Sequence, residues 1–151
     1  MSLLTDIIFV KALRANTELM EQLPAGNVYN TSIALPDEDI DNAPLPYIIV
    51  SYDGMNNQDT TKDNSYEGVT DMVTIGIEIA AKTRPQLAEL AITVRKTIQD
   101  YFQDHVYDIS DEDYKLIPDS YQLQAQAVQY DSLKPCYWQQ LMFQCVTSID
   151  D

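Results

Sequence analysis

The sequence predicts an α+β domain: an antiparallel β-sheet of four to five strands with two amphipathic helices packed on one face. Three observations carry that expectation. Apolar residues recur at helical spacing in two segments, 3–22 and 83–102. Other stretches alternate apolar with polar residues, as a strand with one dry face must. Finally, the elements run helix, strand, strand, long polar segment, strand, helix, terminal hairpin.

In the first helix, 3–22, Leu4, Ile8, Ala12, Ala15 and Leu19 share a face that Leu3, Ile7 and Val10 widen. Lys11, Arg14, Glu18 and Glu21 mark its wetter side, and Pro24 and Gly26 stop it. A short strand, "NVYNTSIAL" (27–35), comes next. The segment "PDEDIDNAPLP" (36–46) holds three prolines and four acidic residues and reads as a loop. The second strand is "YIIVSY" (47–52), β-branched and aromatic. Residues 53–68, "DGMNNQDTTKDNSYEG", hold almost nothing apolar and read as a polar loop or an extended hairpin.

The third strand, "VTDMVTIGIEIA" (69–80), puts Val69, Val73, Ile75, Ile77 and Ile79 on one face. Thr70, Met72, Thr74, Gly76 and Glu78 take the other. It feeds a helix through the corner "AAKTRPQ", a kind of turn that often binds phosphate. Such a turn needs glycines so that its backbone can approach the ligand, and this one has none. Thr83 followed three residues later by Gln86 fits a capping box, and Pro85 sits in the first turn, where its missing N–H costs nothing. The corner therefore reads as scaffold. Leu87, Leu90, Ala91, Val94, Ile98, Tyr101 and Phe102 form the apolar stripe of the helix. An acidic loop (104–119) precedes two closing strands, 121–131 and 136–149, joined by a turn over 132–135. Tyr121, Leu123, Ala125 and Ala127 share a face of the first. In the last strand Tyr137, Leu141, Phe143 and Cys145 share one face and Trp138, Met142 and Val146 the other. One side should meet the helices, and the other is either covered within the chain or pairs with another chain.

At 151 residues the chain is most economically a single domain, 1–151, that needs neither disulfide nor metal to fold. With 24 acidic and 9 basic residues its formal net charge is −15. That leaves too few Lys and Arg to neutralise phosphates, so neither sequence-specific nucleic-acid binding nor docking on an anionic membrane is expected. The N-terminal residues lack the features of a secretory leader, and no apolar run is long enough to span a bilayer. A cytoplasmic location is the default. Cys136 and Cys145 lie nine apart in one strand, so they face opposite sides and cannot pair with each other.

Catalytic chemistry is thinly represented. His105 is the single histidine and has no second ligand at zinc spacing. Neither cysteine has a neighbouring base or a helix N-terminus to lower its pKa, so both read as structural thiols. The acidic clusters at 36–42 and 108–114 lack the glycine and the placed bidentate Glu of a calcium loop. Carboxylates are plentiful, but nothing singles out a catalytic pair. No catalytic residue, metal or cofactor is assigned.

The order of elements resembles the tail terminator (tail completion) proteins of long-tailed bacteriophages and related neck proteins of the head–tail joint. Three stretches carry the likeness: the N-terminal helix ending near "LPAGNVYN", "PLPYIIVSYDG" (44–54), and "VTIGIEIAAKTRPQLAELAITVRKTIQDYF" (73–102). The chain departs from the usual compact form at 53–68 and 104–119. The resemblance implies a non-enzymatic protein that assembles with itself as a ring, typically a hexamer, capping the tail tube and meeting neighbouring tail-tube or neck proteins. It would be cytoplasmic during assembly and virion-borne afterwards. Trp138, Met142 and Val146 are then the candidate ring interface. Asn56, Asn57, Asp59, Lys62 and Tyr66 are candidates for a docking loop that orders on contact with a neighbouring ring. The acidic balance would suit a passive DNA conduit, because a negative lumen repels phosphates. Two alternatives stand beside this: a small adaptor domain outside any phage context, and a small enzyme with an unrecognised carboxylate site.

Overall fold

A computed structural model describes residues 5–23, 28–30, 44–59, 69–105, 115–116 and 122–148. The expectations for 31–43, 60–68 and 106–114 lie outside those residues.

The first helix is two. Helix α1 spans Thr5–Ala15 and α2 spans Thr17–Gln22. Asn16 between them has extended dihedrals (φ −87, ψ 108), and its side-chain oxygen accepts from Leu19 N at 3.1 Å, which makes it the N-cap of α2. Its amide Nδ2 donates to Thr97 Oγ1 at 2.8 Å, tying the break to the second long helix. The buried stripe of α1 is also centred differently from the sequence reading. Phe9 and Leu13, one helical turn apart, are fully buried, whereas Ile8 is half-buried and Ala15 exposed.

Among the described residues seven strands form one sheet: β1 (Val28–Asn30), β2 (Tyr47–Asp59), β3 (Val69–Ala81), β4 (Lys115–Leu116), β5 (Gln122–Ala125), β6 (Gln129–Asp131) and β7 (Cys136–Ser148). The sheet is five positions wide, because β4, β5 and β6 share the edge of β7 opposite β3. All pairings are antiparallel except that of β1, which lies parallel to β2. The α+β class is thus as the sequence predicts.

Three differences concern strand limits. Strand β2 does not stop at Tyr52 but continues to Asp59, so the base of the 53–68 segment is an extended hairpin. A bulge makes the continuation fit: pairing passes from Tyr52↔Ile75 to Gly54↔Thr74 and skips Asp53, with Gly54 at φ 137. Within the 104–119 segment, the second long helix α3 (Arg84–His105) runs to its start, and β4 pairs there with Thr147 and Ser148. The penultimate strand is interrupted, because residues 126–128 lie opposite only 139–140 and bulge out. Leu123 therefore still packs on the core, whereas Ala125 and Ala127 are exposed.

The core lies between the sheet and the helices. Ile48 and Val50, Val73, Ile75, Ile77 and Ile79, and Leu141, Phe143 and Cys145 supply the sheet side. Phe9, Leu13, Leu19, Leu87, Leu90, Val94 and Ile98 supply the helical side. Phe9 and Phe143 meet across the layers as a tilted pair, with centroids 5.6 Å apart. The β3–α3 corner is a cap: Thr83 Oγ1 accepts from Gln86 N at 3.3 Å, while Lys82, Thr83 and Arg84 are exposed. No helix among the described residues is long and apolar enough to cross a membrane.

Candidate functional site

Strand alternation sends every second side chain of β2, β3 and β7 away from the helices. The face so formed carries Tyr47, Ile49 and Ser51 from β2. Met72, Thr74, Gly76, Glu78 and Ala80 come from β3, and Cys136, Trp138, Gln140, Met142 and Gln144 from β7. Register sets their neighbours: Ser51–Gly76–Met142 form one row, Ile49–Glu78–Gln140 the next and Tyr47–Ala80–Trp138 the third. Among the described residues no helix lies on this face. It is the surface with the most chemistry to offer.

One end is apolar. Tyr47, Ile49, Ala80 and Cys136 are buried together, with Leu45 and Trp138 packed against them. Lys134 holds its ammonium 5.0 Å from the centre of the Tyr47 ring, a cation–π arrangement. The turn that carries Lys134 is shaped by Asp131, whose Oδ1 accepts from Leu133 N at 2.9 Å and from Lys134 N at 3.4 Å.

The middle is polar and organised around a glycine. Ser51 Oγ donates to Asp53 Oδ1 at 2.8 Å, and Gln140 Nε2 donates to Asp53 Oδ2 at 3.5 Å. These side chains lie directly over Gly76. A Cβ at that position would stand 2.8 Å from both Ser51 Oγ and Gln140 Nε2, and would collide with Asp53 Oδ2. Glycine is therefore required for close approach rather than for an unusual φ. Beside this cluster Glu78 is half-buried, and burial raises its carboxyl pKa above the ordinary value. On the β7 side of the same region, Met142 Sδ receives a contact from Gln126 Nε2 at 3.2 Å, and Gln139 Nε2 donates to Gln126 O at 2.9 Å.

The structure puts Trp138 and Met142 on this uncovered face, both half-buried, and Val146 four residues on in the same alternation, opposite Met72. Trp138 also helps to cover a small cluster of its own chain. The proposed docking residues divide. Asn56, Asn57 and Asp59 belong to strand β2, opposite Met72, Asp71 and Val69, and not to a loop. A polar strand with no apolar alternation is held by its backbone ladder, which composition does not reveal. Lys62 and Tyr66 lie outside the described residues. Sequence reasoning missed Tyr47, Ser51, Asp53 and Gln140 as parts of one surface, although the glycine inside a regular strand was a signal of close approach.

Enzymatic features among the described residues are few. No group of three or more His, Cys, Asp and Glu side chains is arranged to hold a metal. The two thiols face opposite sides of β7 and are free and buried. Burial pushes Cys145 up to about 12. Burial and then Asp131 raise Cys136, with Lys134 opposing. Both are protonated at neutral pH, which leaves neither as an activated nucleophile.

No protein-family model matches the chain, and no curated protein does either. A chain from the virion of a native gene transfer agent (GTA) particle shares its fold, with a TM-score of 0.57 at 16% identity. The match spans 93% of this chain and 92% of that one. At that identity the likeness speaks for the fold.

Proposed function

We propose that this is a non-enzymatic structural protein of a phage-type particle, a ring of the tail-terminator kind that caps the tail tube and joins it to the neck. The observation that carries this is the near-complete, two-way coverage with a virion component. The match spans 93% of this chain and 92% of that one, so the likeness concerns nearly the whole of both folds and not a shared fragment. The uncovered sheet face supports the reading as well, because it offers Trp138 and Met142 beside a polar centre, the mixture typical of a protein interface.

In this reading the chain's first partner is itself, in a ring expected to be hexameric, with Trp138, Met142 and Val146 at the contact between copies. Strands β2 and β3 extend together as an arm, bearing Asn56, Asn57 and Asp59 toward the adjoining tail-tube or neck ring, with Lys62 and Tyr66, outside the described residues, as further candidates for that contact. The net charge of −15 suits a lumen through which DNA slides without sticking. The protein is cytoplasmic during assembly and part of the virion afterwards.

Light scattering after size exclusion, across a hundredfold range of concentration, tests the proposal. A stable mass of six chains, seen as rings by negative-stain imaging, is the expected result. A single-chain mass throughout would sink the self-assembling ring and favour an adaptor domain.

A further inference from the structure

A closed ring of more than two copies cannot be made by one surface meeting itself; each copy must present two different surfaces. The uncovered sheet face supplies one. We propose that the outward face of α3 is the other, seated on the sheet face of the next copy. This inference rests on the ring reading above and names the counterpart surface that reading leaves open.

Two features of α3 support the assignment. Ile92 is 68% exposed and is the large hydrophobic side chain that the helical layer shows to solvent among the described residues. The helix carries exposed Arg84, Arg95 and Lys96, and exposed Lys82 lies in the turn that leads into it; together they are four of the nine Lys and Arg of the whole chain. Among the residues whose side chains are described, exposed Glu89 and Asp100 are the opposing carboxylates, two against four positive groups. The sheet face has the complementary make-up. Its apolar end holds Tyr47, Ile49 and Trp138. Among the residues whose side chains are described, its charged groups are Asp53, Glu78 and Asp131 against Lys134, three negative to one positive. The helices and this face lie on opposite sides of the two-layer fold, so the complementarity can be satisfied only between copies. A helix laid on a bare sheet face is also the ordinary way in which proteins cover one.

The test uses the full-length chain carrying Ile92→Glu, Trp138→Glu, or neither, with mass read by light scattering and folding by circular dichroism. Each substitution alone is expected to abolish the ring. An equimolar mixture of the two is expected to give a two-chain species, because one intact helix face and one intact sheet face remain between them. Should Trp138→Glu unfold the protein, Gln144→Lys replaces it; this puts like charge against Arg95 and Lys96 and should weaken assembly about tenfold or more. If Ile92→Glu still forms native rings, the α3 assignment is wrong while the ring reading stands. A mixture that stays wholly single-chain also overturns it, since an intact helix face then fails to seat on an intact sheet face. If the unmutated chain never assembles, the ring reading fails and this inference with it.

Discussion

Replacing Gly76 by alanine tests the polar centre of the sheet face, and its sign runs against expectation. In a strand, Gly→Ala ordinarily stabilises by about 0.4–1 kcal/mol, by restricting the unfolded chain. Here the new methyl would stand 2.8 Å from Ser51 Oγ and Gln140 Nε2 and would collide with Asp53 Oδ2. All three are ends of side chains, so the backbone can hold while they turn aside. What goes with them is the 2.8 Å Ser51–Asp53 bond and the long one from Gln140. At a partly exposed site those two bonds are together worth about 1–1.5 kcal/mol. Residual crowding adds about 1 kcal/mol. Set against the entropic gain, the net loss is about 1–2 kcal/mol, or roughly 3–6 °C in Tm for a domain of this size. Urea denaturation of Gly76→Ala, Asp53→Ala and the double variant measures the coupling. In the Asp53→Ala background most of the cost should vanish. If Gly76→Ala is as stable as the parent, or costs the same with and without Asp53, the packing argument fails.

Four further outcomes are expected. Phe143→Ala removes a fully buried ring paired with Phe9 and should cost about 3–5 kcal/mol by urea titration; a loss under 1 kcal/mol would mean that the two layers do not meet there. Asn16→Ala removes both the cap of α2 and the bond to Thr97, and should cost about 1–2 kcal/mol in the same assay. Glu78 binds its proton more tightly in the folded state than in the unfolded chain, so its burial penalty is absent at low pH and grows as pH rises past the ordinary glutamate range. Glu78→Gln should therefore be more stable than the parent at neutral pH and equal to it in acid, and an advantage that persists in acid would refute this. Finally, neither Cys136 nor Cys145 should react with a thiol reagent in the native protein, and both should react in urea.

Much of the architecture was legible because it is written in neighbouring residues. The alternation of 69–80 assigns Val73, Ile75, Ile77 and Ile79 to the core without any knowledge of what covers them. Thr83, Pro85 and Gln86 announce the start of α3 within four positions. The two faces of the last strand could likewise be read from Trp138 to Cys145. The remainder depends on partners far along the chain. Asn16 breaks the first helix where its amide meets Thr97, a side chain 81 positions away. Polar residues 53–59 form a strand because β3 offers them a ladder through the Gly54 bulge, and backbone pairing leaves no mark on side-chain hydropathy. The sheet face itself is assembled from three strands. Ser51, Gly76 and Gln140 are ordinary residues in their own segments and become one polar cluster only when register brings them together. Periodicity along the chain decides which way a side chain points, and only long-range pairing decides what it meets.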